Sequence, residues 1–133
     1  MILTRRFAPL AALLDALCLG AFVAAGRESH DIGAGAAWFF GVLWPFAAGW
    51  FAAALALRLY SQRSGWLARL LTNVVAGVAL GLVLRAAVTH RATPIAFIVV
   101  AYAFITLLTL GWRLVVAGVR QLQRRRRPGI SQA

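Results

Sequence analysis

The chain alternates between four long apolar stretches and short polar segments. The apolar stretches cover residues 7–25, 36–57, 67–88 and 94–117. Each has about the 20 residues that a helix needs to cross the hydrocarbon core of a bilayer. The runs are continuous, unlike the alternating pattern of barrel strands, and they are rich in Ala and Leu, which favour helices. The pattern predicts an all-α fold, an integral membrane bundle of four transmembrane helices with short loops.

The composition also favours a membrane protein. Hydrophobic residues make up 62% of the 133 residues, against about 45–50% in a typical soluble domain. The length corresponds to one domain, which we place at residues 1–119, followed by a basic tail at residues 120–133. The single cysteine, Cys18, predicts no internal disulfide.

Positive charge is concentrated on one side of the predicted bundle. The formal net charge is +11, and the 14 basic residues are all arginine. Most of these arginines fall on the side of the two termini, whereas Arg85 and Arg113 lie within spans. We expect the protein in the cell membrane, and the positive-inside rule predicts that both termini lie in the cytoplasm. We expect the arginines to contact anionic headgroups of the bilayer, and we do not expect nucleic acid as a partner.

The N-terminal stretch has an alternative interpretation as a cleaved signal peptide. It has a basic start, an apolar run and small residues at 23–25 that could form a cleavage site, and Arg5-Arg6 is reminiscent of a twin-arginine signal. Asp15 argues against this interpretation, because an acid in the apolar region of a signal peptide is rare.

Asp15 is the most informative residue. A carboxylate deep in the membrane costs about 2.5–3.5 kcal/mol on insertion scales, so it must face the interior, pair with a cation or stay protonated. Its helical neighbours are mostly small residues, Ala8, Ala11, Cys18 and Phe22, and the opposite side carries Leu10, Leu13, Leu14 and Leu17. Because small residues let helices approach closely, Asp15 is predicted to face the other helices.

Two arginines could pair with Asp15. Counted along the helices, Arg113 lies at a depth closer to that of Asp15, and Arg85 lies nearer the outer loops. We therefore favour the pair of Asp15 and Arg113. The alternative is that Arg113 extends to the headgroups.

Further polar and small residues follow one side of several spans. The candidate buried polar site consists of Asp15, Asn73, Arg85, Tyr102, Thr106, Thr109 and Arg113. The candidate packing residues are Gly41, Pro45, Gly49, Gly77 and Gly81. Helix packing is the main explanation of this pattern. The alternative is a pathway for a proton, an ion or a small polar solute.

The outer loops carry a cluster of charged and titratable residues. Its members are Arg27, Glu28, His30, Asp31 and His90. The histidines could make this cluster sensitive to pH. Their spacing does not match a metal site, so the sequence predicts neither a metal nor a cofactor. The five tryptophans are expected near the span ends as interfacial anchors.

Several short motifs occur in a definite order. They are GRESH at 26–30, PFAAGW at 45–50, LR at 84–85 and GWR at 111–113. Together with Asp15, they resemble a small prokaryotic membrane-protein family catalogued as a domain of unknown function, number three thousand and fifty-four. The resemblance covers about residues 10–115. It implies the fold and the choice of residues, and it implies no activity.

The sequence has no P-loop, hydrolase, kinase or zinc motif, and we therefore expect no enzyme. We expect a small multi-pass membrane protein with a structural or partner-binding role, whose partner is a second copy or another membrane protein. The alternative is an oligomeric transporter or channel component with Asp15 in the path of a proton, an ion or a small polar solute. An enzyme that acts on lipid or quinone is the least favoured hypothesis.

Overall fold

The computed structural model describes residues 7–28, 35–61 and 64–126. Over these ranges the chain forms helices and turns without strands. The helices are α1 (Ala8–Glu28), α2 (Ala36–Ala56), α3 (Trp66–Thr89) and α4 (Ile95–Arg125). All four are long and apolar enough to cross a membrane. The predicted all-α bundle of four membrane-spanning helices is confirmed.

The largest difference from the predicted bounds is at the end of α4. The apolar run ends near residue 117, whereas the helix continues to Arg125. Leu, Gln and Arg are good helix formers outside a membrane as well as inside it, so the end of hydrophobicity does not end the helix. The segment from residue 120, predicted as a tail, therefore begins as a continuation of α4.

The helices pack as neighbours in chain order, and α4 closes the bundle by packing against α1. On α1, Ala11, Asp15 and Leu19 face inward and are buried. Leu13 and Leu17, on the opposite side, are 55% and 60% exposed. This division follows the predicted one, because small residues suit helix contacts and leucine suits lipid.

The closest packing in the bundle is between α2 and α3. A Cβ atom added to Gly49 would lie 2.5 Å from both the carbonyl oxygen of Gly77 and the nitrogen of Gly81. Added Cβ atoms at Gly77 and Gly81 would lie 3.0 Å from Cα atoms of α2. α2 continues as one helix through Pro45, which is buried. The two backbones are therefore in contact, and only glycine fits at Gly49.

One predicted packing residue, Gly41, does not lie in this contact. It is exposed, and a Cβ atom added to it would meet nothing within 4 Å. Two crossing helices stay close over only a few turns, and the contact made by Pro45 and Gly49 does not extend one turn further to Gly41. Gly41 therefore takes no part in the α2–α3 contact, and a packing role for it stays a prediction.

The turn between α2 and α3 folds back against the end of the bundle. Arg58 adopts a left-handed conformation with φ of 51°, and the next residue, Leu59, is 5% exposed. Arg69 at the start of α3 holds the turn, because its Nη1 donates to the carbonyl oxygen of Leu57 at 2.9 Å and its Nε donates to that of Ser64 at 3.3 Å. The fold-back brings Tyr60 towards α1.

Candidate functional site around Asp15

The centre of the site is an ion pair between α1 and α4. Asp15 is completely buried, and Arg113 is 8% exposed. Nη1 of Arg113 donates to Oδ1 of Asp15 at 2.7 Å, and Nη2 donates to Oδ2 at 2.7 Å. Two parallel bonds of this kind are the strongest arrangement available to an arginine and a carboxylate. The structure therefore contains the pair that helix depth favoured.

Two more donors complete the surroundings of the carboxylate. The hydroxyl of Tyr60 donates to Oδ2 at 2.7 Å, and Nε1 of Trp112 donates to Oδ1 at 3.0 Å. An ionised carboxylate accepts about four hydrogen bonds, and Asp15 receives four from these groups. A protonated carboxyl group would keep a hydrogen of its own, so the four donors fit the charged form.

The donors are themselves held in place by a second set of contacts. Nε1 of Trp50 donates to the hydroxyl oxygen of Tyr60 at 3.1 Å. Nη1 of Arg113 also donates to the carbonyl oxygen of Thr109 at 2.9 Å, and the guanidinium lies 4.4 Å from the ring centre of Trp112. These contacts fix the side-chain conformations around Asp15. We call the five side chains that take part the Asp15 cluster: Asp15, Trp50, Tyr60, Trp112 and Arg113.

The Tyr60 hydroxyl is kept as a donor. Tyr60 lies in the turn outside the spans, where its burial and the neighbouring charge of Asp15 raise the pKa of its hydroxyl far above the usual value. Both causes disfavour a second negative charge beside the carboxylate. At neutral pH the hydroxyl therefore remains protonated and bound to Asp15.

Three other residues of the predicted polar site bond within or beside α4 and do not reach Asp15. The hydroxyls of Thr106 and Thr109 donate to carbonyl oxygens of their own helix, at 2.6 Å to Tyr102 and 2.7 Å to Ile105. The hydroxyl of Tyr102 donates to the carbonyl oxygen of Val75 at 3.0 Å and so links α4 to α3. Threonines satisfied in this way need no polar partner across the bundle.

Asn73 differs from Tyr102 and the two threonines in its hydrogen bonding. It is completely buried on α3, and neither its Nδ2 nor its Oδ1 has a hydrogen-bond partner. A buried amide without partners costs free energy that an apolar residue would not. Asn73 therefore destabilises the fold in the form described.

The other intramembrane arginine, Arg85, lies apart from Asp15. Its guanidinium lies 4.5 Å from the ring centre of Phe97, and its Nε is buried without a partner. Phe97 belongs to a group of aromatic rings that also includes Phe22 and Phe46. The guanidinium of Arg85 is thus stabilised by the ring of Phe97, and the arginine that pairs with Asp15 is Arg113.

The predicted outer cluster lies mostly beyond what the structure describes. His30 and Asp31 are outside the described residues, and the same is true of the side chains of Arg27 and Glu28. His90 is exposed and ends α3 with φ of 51°. In the described ranges, no group of three or more His, Cys, Asp or Glu residues could hold a metal ion.

Sequence reasoning missed three members of the Asp15 cluster. Tyr60 lies between the predicted spans 36–57 and 67–88. The tryptophans are predicted at the membrane surface, whereas Trp50 is completely buried. An indole has both a large apolar ring and one N–H donor, so it suits either environment. The one available signal was the GWR motif, which places Trp112 directly beside Arg113.

The four helices and the buried ion pair define a multi-pass membrane protein. A family profile described as a protein of unknown function, DUF3054, matches residues 12–116. The chain belongs to this family, as the ordered motifs indicated. No curated protein and no solved structure matches the chain.

Proposed function

We propose that this protein is a structural or partner-binding subunit of the cell membrane, without enzymatic activity, and that both of its termini lie in the cytoplasm. The observation that supports a structural role most directly is the hydrogen bonding of Asp15. All four of its acceptor positions are occupied by donors from the protein, which leaves none for a travelling proton or cation. The Asp15 cluster instead joins three parts of the chain, which are α1, α4 and the turn that follows α2.

The orientation rests on the distribution of arginine. The described end of the bundle that includes the α2–α3 turn carries Arg58, Arg69 and Arg120, followed by Arg124, Arg125 and Arg126. At the opposite end the described loop carries Arg91. By the positive-inside rule, this excess of arginine favours an orientation in which the end with the α2–α3 turn faces the cytoplasm.

The partner surface is best supported on α4. In its most apolar window 17% of residues are buried, compared with 28–39% in the other three helices. Gly111 and Gly118 lie in this helix, and a Cβ atom at either would meet nothing within 4 Å. Glycine inside a helix costs about 0.5–1 kcal/mol relative to alanine. A close helix from a second copy or another membrane protein would account for both positions.

The transport alternative has one observation in its favour. Asn73 is buried with its hydrogen-bonding capacity unused, and a polar solute passing through the bundle could use that capacity. In that case Asp15 would have to release at least one of its donors during each cycle.

Flux measurements in liposomes separate the two functions. Purified wild type, Asp15→Asn and Asn73→Leu are reconstituted, and proton and potassium fluxes are compared with those of empty liposomes. We expect no flux above that of empty liposomes for any of the three. A wild-type flux that Asp15→Asn abolishes, while the variant keeps its helical content, would overturn the structural role in favour of transport.

The partner-binding role has its own test. Chemical crosslinking is performed in native membranes on wild type and on Gly118→Leu, with Gly41→Leu as a control at another exposed glycine. Crosslinked species that Gly118→Leu removes and Gly41→Leu retains are expected. Crosslinking that is the same in all three proteins would exclude this face of α4 as the partner surface.

A further inference from the structure

α4 extends beyond the end of the bundle. It has 31 residues, which corresponds to about 46 Å of helix, against about 30 Å for the hydrocarbon core. Two contacts fix its depth relative to α1: Arg113 bonds Asp15, and the Arg120 guanidinium lies 5.5 Å from the ring centre of Phe7. Since Phe7 directly precedes α1, residues 121–126 lie past the described start of that helix. We call residues 121–126 the projecting end.

The projecting end is exposed and basic. All six of its residues are exposed, and three of them, Arg124, Arg125 and Arg126, are arginine. Asp15, the one carboxylate among the side chains that the structure describes, is buried and bound to Arg113. The charge of the projecting end therefore has no acidic counterpart in the described part of the bundle.

The arrangement of these arginines favours a surface of headgroups over a single binding pocket. Consecutive residues on a helix point about 100° apart, so three arginines in a row span an arc of about 200°, more than half of the helix circumference. A protein partner on one side would contact only part of them. Anionic headgroups surround a helix at the membrane surface and can contact each arginine, and the exposed Leu122 can reach the apolar boundary.

We infer that the projecting end of α4 is a binding surface for anionic phospholipid headgroups. The guanidinium groups bind phosphate through charge-assisted hydrogen bonds. This inference is independent of the proposed subunit role, because it concerns lipid beside the bundle end and needs no partner chain.

The test is a lipid titration of the full-length chain in a neutral detergent. Short-chain phosphatidylglycerol is titrated into wild type and into Arg124→Gln/Arg125→Gln/Arg126→Gln, with short-chain phosphatidylcholine as the neutral lipid. Attraction of about 1 kcal/mol per arginine near a membrane surface is typical, which corresponds to about fivefold in affinity for each. We expect the triple glutamine variant to bind phosphatidylglycerol at least fivefold more weakly and to bind phosphatidylcholine as wild type does.

Two control variants define the source of the effect. Arg124→Lys/Arg125→Lys/Arg126→Lys keeps the charge and should keep most of the affinity. Arg91→Gln removes an exposed arginine from the opposite end and should change it little. The inference is wrong if the triple glutamine variant binds phosphatidylglycerol as wild type does, or if Arg91→Gln weakens binding equally. It is also wrong if the triple glutamine variant keeps its affinity for phosphatidylglycerol and loses binding to an acidic protein partner instead.

Discussion

Arg113 binds both carboxylate oxygens of Asp15, each at 2.7 Å, across 98 positions of the sequence. Removal of one partner from a buried pair leaves a charge without compensation, which typically costs about 3–5 kcal/mol. Asp15→Asn and Arg113→Gln should each destabilise the protein by about that amount. The double variant should lose much less than the sum of the two, because the pair is lost only once.

This coupling can be measured from the free energy of unfolding in mixed micelles of detergent and dodecyl sulfate. The same cycle with Asp15→Asn and Arg85→Gln is the matched control. Because Arg85 stacks on Phe97 and does not contact Asp15, the control effects should add. Additive effects in the Arg113 cycle would contradict a structural pair.

Tyr60 connects Asp15 to Trp50, so the loss of its hydroxyl should be costly. Tyr60→Phe removes the donor to Asp15 and leaves Nε1 of Trp50 without its acceptor. An unsatisfied buried group costs about 1–3 kcal/mol, and we expect a loss in that range in the free energy of unfolding. Tyr102→Phe is the matched control, since that hydroxyl donates one bond to an exposed backbone carbonyl. An equal loss in the two variants would argue against the Asp15 cluster.

The raised pKa of Tyr60 predicts a dependence of stability on alkaline pH. The folded protein holds the Tyr60 proton more tightly than the unfolded chain, in which the pKa of tyrosine is about 10. The resulting contribution to stability is complete below pH 10 and is lost as the pH rises towards the folded pKa. The stability of wild type should therefore fall more steeply above pH 10 than that of Tyr60→Phe. Parallel pH profiles of the two proteins would refute the prediction.

Alanine should have opposite effects at two glycines, Gly49 in the α2–α3 contact and Gly118 on the exposed side of α4. Gly49→Ala places a methyl group 2.5 Å from backbone atoms of α3, so the helices must separate, at a cost of about 3 kcal/mol. Gly118→Ala meets no atom and should stabilise the monomer by about 0.5–1 kcal/mol through helix propensity. Thermal unfolding of both variants in detergent measures the difference, and a tolerated Gly49→Ala would contradict the close contact.

Asn73 is expected to be a position where an apolar residue stabilises the protein. Asn73→Leu removes two unpartnered polar atoms and should raise the free energy of unfolding by about 1–3 kcal/mol. Thr109→Val is the control, because its hydroxyl is already bonded within α4, and it should not stabilise. A large loss of stability in Asn73→Leu would show that the amide has a partner in the folded protein.

The sequence predicted well whatever depends on local pattern. The lengths of the apolar stretches predicted the four helices, and the small residues beside Asp15 predicted which side of the first helix faces the bundle. Arg113 could be chosen over Arg85 because helix rise converts sequence position into depth. Each of these inferences needs only the geometry of one straight helix.

What the sequence did not predict depends on chain reversal and on ambiguous side chains. Tyr60 reaches Asp15 because the turn after α2 folds back through a left-handed residue at Arg58, and no periodic pattern records that path. Trp50 and Trp112 carry the same chemistry whether they face headgroups or a buried acid. Gly41 and Gly49 are identical in type, and only the crossing of α2 and α3 separates their roles.

The Asp15 cluster also has a consequence for biosynthesis. Its acid belongs to the first helix, and three of the four hydrogen bonds that it accepts come from Trp112 and Arg113 of the last helix. While the ribosome makes the intervening spans, the carboxylate lacks Arg113, the arginine with which it pairs. The coordination of Asp15 is completed only when α4 has been inserted, so the ion pair distinguishes a finished chain from a truncated one.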